Sequence, residues 1–290
     1  MPSMKAIKRR ILSVSTTKKI MKAMNMVSAS KLQKNKVKLK EAESFFIEVE
    51  KIINSIFESE IVKDNIFLSK KEVKNIAYLV ITADRGLCGS YNTNVIVKTI
   101  SHIAEFCEQA GVNEKIVVVG LKGQEQLKRE GKNIIYRYDD VLETAFYEDA
   151  QRISEYLINL YKIGEADEIY LAYTQFDSVL VHLPKIEKLL PIDIEFADVN
   201  KVNMMKYEPD EASFLEDFIP VYLSSSIYYA LLQSATCEQA ARMASMDTAV
   251  KNAGEIIDKL THSYNYRRQS AITQEISEVV SSTNILNAKE

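Results

Sequence analysis

Apolar residues recur every three or four positions along the last third of the chain. Their alternating spacing of three and four residues is the seam of a left-handed coiled coil. The stripe then shifts, which predicts a local relaxation of the supercoil. The seam residues are Met243, Met246, Val250, Ala253, Ile257, Leu260 and Tyr264, and the shifted stripe is Ile272, Ile276, Val279 and Leu286.

The first sixty residues carry a similar but patchier stripe. A helix over residues 3–57 would be roughly 80 Å long, and one over residues 221–286 roughly 100 Å. No single small core buries rods of that length, so the two helices are predicted to wrap around each other in antiparallel fashion. The predicted face of the first helix consists of Ile7, Ile11 and Val14, continued by Ile20, Met24 and Val27.

The middle of the chain has a different pattern. Short runs rich in Val, Ile and Tyr alternate with helical patterns, which indicates a doubly wound, mostly parallel sheet. A segment over residues 179–194, with two prolines, is predicted to be an edge strand and its exit loop. The four predicted inner strands are Ile76–Thr82, Lys115–Gly120, Ile134–Tyr138 and Glu168–Tyr173.

Glycine and proline mark the same divisions. Residues 3–85 contain neither, and residues 221–290 contain one glycine and no proline. The predicted fold is therefore an α/β protein: an antiparallel coiled coil of two long terminal helices and a central Rossmann-like domain with a mostly parallel sheet. The predicted segments are residues 1–60, 74–200 and 210–290, with the last pairing with the first.

The net charge of -3 hides a basic head. Residues 1–40 contain ten lysines, two arginines and no acid. Such a head could be a nucleic-acid arm, a membrane-surface helix, or a basic rod inside a polar protein collar. The first aromatic residue is Phe45, so no stacking side chain is interleaved with the charges. No apolar run approaches the ~18 residues of a membrane span.

The predicted sheet carries no recognisable catalytic or cofactor motif. A phosphate-binding G-x-x-x-x-G-K-[ST] loop is missing, and so is a G-x-G-x-x-G turn after a strand. The three histidines belong to no metal-ligand pattern, and the three cysteines show no paired spacing, which fits a reducing compartment. We therefore predict no catalytic residue, no cofactor and no metal.

One turn stands out directly after the first predicted strand. In Asp84-Arg85-Gly86-Leu87-Cys88-Gly89 the two glycines would supply unusual φ values, and Asp84 would accept backbone N–H bonds. An ordinary strand-to-helix turn explains these residues. Alternatively, Arg85 on an exposed turn would recognise a carboxylate or phosphate.

Three blocks carry a resemblance to a known family. The head segment ILSVSTTKKIMKAMNMVSASKL at residues 11–32 resembles the N-terminal helix of the gamma subunit of F-type ATP synthases. The turn DRGLCG at residues 84–89 resembles that family's signature, and the segments EQAARM and RQSAITQEI at residues 238–243 and 268–276 are similar to its C-terminal helix. The order and positions of the blocks match over essentially the whole chain, with Cys237 where the family usually has Ser.

The resemblance implies a non-catalytic central rotor shaft, which couples proton flow through the membrane sector to ATP synthesis or hydrolysis at the alpha/beta head. It implies alpha, beta and epsilon subunits and a membrane c-ring as partners, and a peripheral place on the cytoplasmic face of a bacterial membrane. Arg85 would meet an acidic lever of a beta subunit. By match to the family, contacts with the beta subunit fall on Lys22, Met24, Arg242, Gln269, Thr273 and Glu275.

Two other classes of function stay open on the residues alone. A nucleic-acid-binding coiled coil would use the basic head, and its binding would depend steeply on salt. A small α/β enzyme would need a ligand pocket in the middle domain. We also expect the C-terminal helix to extend past its partner as an apolar overhang, because the first helix begins only near Ser3.

Overall fold

A computed structural model describes residues 3–57, 66–68, 72–108, 111–192 and 211–287. It contains five strands and six α-helices within these ranges, with a π-helical turn at Ala104–Glu108 after α2. The elements are α1 Met4–Phe57, β1 Asn75–Ile81, α2 Tyr91–Ile103, β2 Asn113–Val119, α3 Leu121–Arg129, β3 Ile134–Tyr138, α4 Val141–Thr144, α5 Tyr147–Lys162, β4 Glu168–Phe176, β5 His182–Leu190 and α6 Glu211–Asn287.

The five strands form one sheet in the order β3-β2-β1-β4-β5. The first four are parallel, and β5 is antiparallel to β4 at one edge. The predicted α/β class, with its mostly parallel sheet and long terminal helices, is thereby confirmed. The edge strand is shorter than the predicted segment, since it covers His182–Leu190, and residues 193 and 194 lie outside the described residues.

The sheet buries both of its faces. Alternate residues of β1 point to opposite sides, as the two-residue period of a strand requires. Ala77, Leu79 and Ile81 lie in a core with α5 and α6, and the residues between them lie in a second core with α2 and α3. Burial on both faces explains why the inner strands are almost continuously apolar.

Helix α6 begins earlier than predicted. The sequence placed its start after Pro220, but α6 begins at Glu211 and contains that proline. Proline lacks the N–H that would bond to the preceding turn, which normally breaks a helix. Leu215 and Ile219 are 1% and 0% exposed, so their packing against the core holds the first turns of the helix in place.

Residues 231–240 of α6 are buried on every side. A helix that is enclosed all round passes through a core rather than over it. This stretch nevertheless contains Gln233, Ser234, Thr236 and Glu238. Each of these side chains needs a partner, because a buried polar group without one costs free energy.

The chain divides into two compact units, residues 1–27 with 243–290, and residues 28–242. The predicted division into residues 1–60, 74–200 and 210–290 follows the ends of the long helices instead, and it stays a prediction.

In the first unit, α1 and α6 run antiparallel. The Asn25 side chain donates a hydrogen bond to the Met243 carbonyl at 2.8 Å, and Lys18 lies over Gly254. As the α1 residue number falls from 25 to 18, the contacting α6 residue number rises from 243 to 254. The predicted antiparallel direction is therefore correct.

The α6 seam lies where the sequence predicted it. All seven seam residues from Met243 to Tyr264 are buried or half-buried. The predicted α1 face is wrong in its second half, because Ile20 and Val27 are both 56% exposed. The observed heptad continues from Ile7, Ile11 and Val14 through Lys18, Met21, Asn25 and Ser28.

Candidate functional site

The turn of residues 84–89 leaves the carboxyl end of β1. Leu87 and Gly89 have φ values of 65° and 58°, in the left-handed region. The Asp84 carboxylate accepts the Leu121 N–H at the start of α3, at 3.1 Å. Burial raises the pKa of Asp84, and this backbone hydrogen bond opposes the shift. The turn fits both interpretations. Its backbone is tight, as in an ordinary strand-to-helix turn, and it also carries an exposed arginine.

Arg85 is an exposed residue of the turn, with 75% of its side chain accessible. Its guanidinium lies 3.3 Å from Glu143 of α4, and Glu143 also binds Lys31 of α1 at 2.8 Å. The Lys31 contact lowers the pKa of Glu143, with a smaller contribution from Arg85. This carboxylate thus links the turn to α1 through exposed ion pairs, which contribute little to stability.

Arg242 of α6 holds the backbone of the same turn. Its Nη2 lies 3.3 Å from the carbonyl oxygens of both Arg85 and Gly86. The same nitrogen lies 2.6 Å from the Glu238 carboxylate, one helical turn earlier. The two side chains are 10% and 8% exposed, and Gln239 donates to the other oxygen of Glu238 at 3.1 Å. Burial raises the pKa of Glu238, and Arg242 opposes the shift.

Cys88 is the buried residue of the same turn, with 1% of its surface exposed. Its sulfur lies 3.9 Å from the Arg85 carbonyl oxygen, and Asn92 donates to the sulfur at 3.4 Å. Burial raises the pKa of Cys88, so its thiol is protonated and unreactive at neutral pH. Asn92 also accepts the Ala83 N–H at 2.9 Å, which closes the turn onto the start of α2.

Helix α6 fills the crevice between the carboxyl ends of β1 and β4. In open α/β sheets the chain order reverses at such a point, and ligands bind there. Here Gln233 accepts the Phe176 N–H at 2.6 Å, and Ser234 accepts the Thr174 N–H at 3.3 Å. Cys237 donates to the Thr174 carbonyl at 3.6 Å. Side chains of the protein therefore occupy the place where an enzyme of this fold class would hold its ligand.

The remaining predicted site residues lie in the first unit. Lys22 is exposed, and Met24 is half-buried beside the seam residue Asn25. Gln269, Thr273 and Glu275 are exposed on α6, where the Thr273 hydroxyl donates to the Gln269 carbonyl at 2.9 Å. The structure thus brings Arg242 together with the turn in the second unit, and places the other five residues in the first.

The end of α6 is an exposed helix that carries an apolar stripe. Residues 272–281 are exposed at every position. They include the apolar side chains of Ile272, Ile276 and Val279, which are 46%, 58% and 63% exposed. The predicted overhang is present over these residues. The side chain of Leu286, which completes the predicted stripe, lies outside the described part of the chain.

The site residues predicted from the sequence do not include Glu238, Glu143 and Lys31. A glutamate four residues before an arginine on a helix is a recognised pairing signal, so Glu238 could have been found from its spacing to Arg242. Glu143 and Lys31 carry no such signal, because 112 residues separate them. Among the described residues, no group of His, Cys, Asp or Glu is arranged to hold a metal ion, and no helix could span a membrane.

Known proteins match this chain over nearly its full length. A family model described as ATP synthase matches residues 3–286. The ATP synthase gamma chain of Alkaliphilus metalliredigens is 40% identical over 98% of each chain, and that of Pelotomaculum thermopropionicum is 38% identical over 97% of this chain and 98% of its own. A similar fold, with a TM-score of 0.61 and 23% identity, occurs in the central stalk/c-ring structure of the Tetrahymena thermophila mitochondrial ATP synthase, over 79% of this chain and 99% of that one. A chain of the Euglena gracilis enzyme has a TM-score of 0.67 and 14% identity, over 98% of this chain and 95% of that one.

Proposed function

The chain belongs to the ATP synthase gamma-chain family, and we propose that it is the central rotor shaft of an F-type ATP synthase. It is a non-catalytic subunit, and it couples proton flow through a membrane sector to ATP synthesis or hydrolysis at an alpha/beta head. The observation that carries the proposal from the structure is the antiparallel pair of α1 and α6, with α6 continuing as an exposed helix that carries an apolar stripe.

An asymmetric rod can do this work without a catalytic group. Placed inside a ring of three chemically identical sites, it contacts each of them differently. Each site then has a different nucleotide affinity, and rotation changes the affinities in turn. The exposed side chains of Ile272, Ile276 and Val279 suit a sliding contact, since apolar packing distributes its energy over many weak interactions.

The partners follow from the same role. We infer that alpha and beta subunits surround the α6 overhang, and that an epsilon subunit and the c-ring bind the chain elsewhere, with no nucleic acid involved. The complex would lie on the cytoplasmic face of a bacterial membrane, with this chain held there only through its partners. The exposed Arg85 would meet an acidic segment of a beta subunit, while Lys22, Met24, Gln269, Thr273 and Glu275 would contact a beta-subunit loop.

The nucleic-acid alternative loses support from the contacts of α1. Two bases of the head are already engaged within the chain, because Lys31 binds Glu143 and the Lys38 ammonium donates to the Thr144 carbonyl at 3.2 Å. The Lys38 ammonium also lies 5.5 Å from the centre of the Phe146 ring. Contacts of this kind leave a less continuous basic stripe than the sequence suggests.

A pair of variants in the assembled complex tests the proposed contacts. Replacing Gln269 and Thr273 together by Leu should lower proton pumping per ATP hydrolysed, because two exposed polar groups are lost from the contact. The matched control replaces Thr261 and Asn265 by Leu. These residues have the same spacing on α6 and are exposed as well. The Thr261 hydroxyl donates to the Ile257 carbonyl at 2.8 Å, as that of Thr273 does to Gln269.

The control pair should leave the coupling ratio unchanged. Deleting residues 281–290 should also retain substantial coupled ATPase, because the sliding contact is spread along the helix. Loss of turnover on deletion, with an unaffected Gln269/Thr273 variant, would refute this division of roles. Steady ATP hydrolysis by the pure isolated chain would refute the shaft function itself.

A further inference from the structure

The backbone of the turn at residues 84–89 is fixed from α6. The carbonyl groups of Arg85 and Gly86 both point at Arg242, at 3.3 Å, although the Arg85 side chain itself is exposed. A single guanidinium nitrogen thereby contacts two successive peptide carbonyls and the Glu238 carboxylate. Arg242 lies more than 150 residues after Arg85 in the sequence, so this contact is a long-range tether.

Glu238 and Arg242 are a buried ion pair, and each of the two side chains has a further hydrogen-bond partner. Gln239 donates to the second oxygen of Glu238, and the turn carbonyls accept from Arg242. Buried ion pairs add little net stability compared with apolar residues of the same size, and one of their attested roles is to specify a single arrangement. Here the ion pair would specify how the turn packs on α6.

The turn needs such support because its backbone is strained. Leu87 has a φ of 65°, a conformation that L-residues with side chains rarely adopt, and its side chain is 62% exposed. Strained residues of this kind persist only where the surrounding structure fixes them. Without the tether, the turn could relax and its exposed side chains would change direction.

We propose that Glu238 and Arg242 form a clamp that holds the turn in one conformation, so that Arg85 and Leu87 are presented to the partner in a fixed orientation. In this assignment Arg242 is a positioning residue that acts through the turn, and no direct contact between Arg242 and a partner is needed. The part that concerns coupling rests on the proposed function, because it requires that the turn meets a partner subunit. The clamp itself does not.

Cys88 reports on the clamp in the full chain. Its side chain is the buried part of the turn, so alkylation of this thiol requires the turn to open. Cys107 is 0% exposed in the core on the other face of the sheet, so it reports on general loosening. Both rates can be measured in one sample by mass spectrometry of peptides after timed exposure to N-ethylmaleimide.

The test variant replaces Glu238 by Gln and Arg242 by Met together. It removes both charges, so neither is left buried without its partner. We expect the labelling rate of Cys88 to rise about tenfold or more, since charge-assisted hydrogen bonds are lost, while that of Cys107 stays constant. Arg242→Lys keeps a cation and should give a smaller rise. The matched control, Asp247→Asn with Lys251→Met, removes an exposed pair of the same spacing on α6 and should change neither rate.

Unchanged labelling of Cys88 in the double variant would overturn the clamp, and so would equal increases at Cys88 and Cys107. The coupling role is tested in the assembled complex by combining the double variant with Arg85→Ala. If the clamp acts through the turn, the double variant should lower the coupling ratio when Arg85 is present. When Arg85 has been replaced by Ala, the double variant should lower the ratio further by less than twofold.

Fully additive losses would refute the positioning role in coupling. If Arg85→Ala alone had no effect, the turn contact in the proposed function would be wrong, while the Cys88 labelling would still decide whether the clamp exists.

Discussion

Replacing Gly120 by Ala should severely destabilise the second unit, which contains the sheet. Gly120 follows β2 and has a φ of 91°. A Cβ atom there would lie 2.3 Å from the Thr82 carbonyl oxygen and 2.8 Å from the Ala83 carbonyl carbon. These are backbone atoms at the end of β1, held by the bond from the Thr82 N–H to the Val119 carbonyl, so they cannot move aside as a flexible side chain would.

The expected magnitude combines two effects. The backbone conformation costs about 1–3 kcal/mol for a residue with a side chain. Overpacking adds about 1–3 kcal/mol, and the rigid neighbours put this site at the upper end. The free energy of unfolding should therefore fall by about 3–5 kcal/mol, against a total of about 5–15 kcal/mol for a typical protein.

Gly131 provides a matched control for this substitution. Its φ is 70°, but a Cβ atom there would have nothing within 4 Å. Gly131→Ala should cost only about 1–2 kcal/mol of backbone strain. Urea unfolding of the full chain, followed by the near-ultraviolet circular dichroism of its tyrosines, would compare the variants. Equal losses at the two positions would refute the argument that close approach of the β1 backbone requires Gly120.

Three further predictions concern the coil, the second core and the overhang. Asn25→Leu should raise the thermal midpoint measured by circular dichroism by a few degrees, because it fills a polar position of the seam with an apolar side chain. Burial lowers the pKa of His102 from 6.5, so the unfolded chain binds more protons just below that pH; the free energy of unfolding should fall as the pH drops from 7 to 5, and less steeply in His102→Gln. Ile276→Lys should reduce self-association of the isolated chain, measured by light scattering, because it interrupts the exposed apolar stripe.

Each of these predictions has a control close by. Met26→Leu, at a 66% exposed position next to Asn25, should leave the thermal midpoint unchanged. The pH dependence that remains in His102→Gln should fall again when His182, whose pKa burial also lowers, is replaced. Ser277→Lys should affect self-association less than Ile276→Lys. Opposite rankings in any pair would contradict the corresponding argument.

The sequence predicted the α6 seam better than the α1 seam for a physical reason. The α6 seam is formed by apolar residues, so hydrophobic periodicity locates it directly. The α1 seam passes through Lys18, Asn25 and Ser28, and apolar residues at Ile20 and Val27 lie on the exposed side. A search for apolar periodicity follows the apolar residues, and here those residues leave the seam.

The sheet was predictable because buried parallel strands are nearly continuous apolar runs. The turn motif was recognisable, but its tether to α6 was not. The acceptors for Arg242 are backbone carbonyls, which every residue possesses, so the sequence carries no mark of the contact. In the same way, Glu143 joins Arg85 and Lys31 only once the fold has brought three distant segments together.

The enclosure of residues 231–240 has a consequence for synthesis of the protein. The strands that surround this stretch are all translated before residue 191, yet α6 begins only at Glu211. During translation, the core on the face of β1 formed by Ala77, Leu79 and Ile81 is therefore incomplete until α6 has been made. Contacts between such distant segments form slowly, because a long loop must close first. The second unit, which contains the sheet, should consequently complete its folding only after residues 211–240 of α6 have been made. A fragment that stops at residue 210 should aggregate rather than fold.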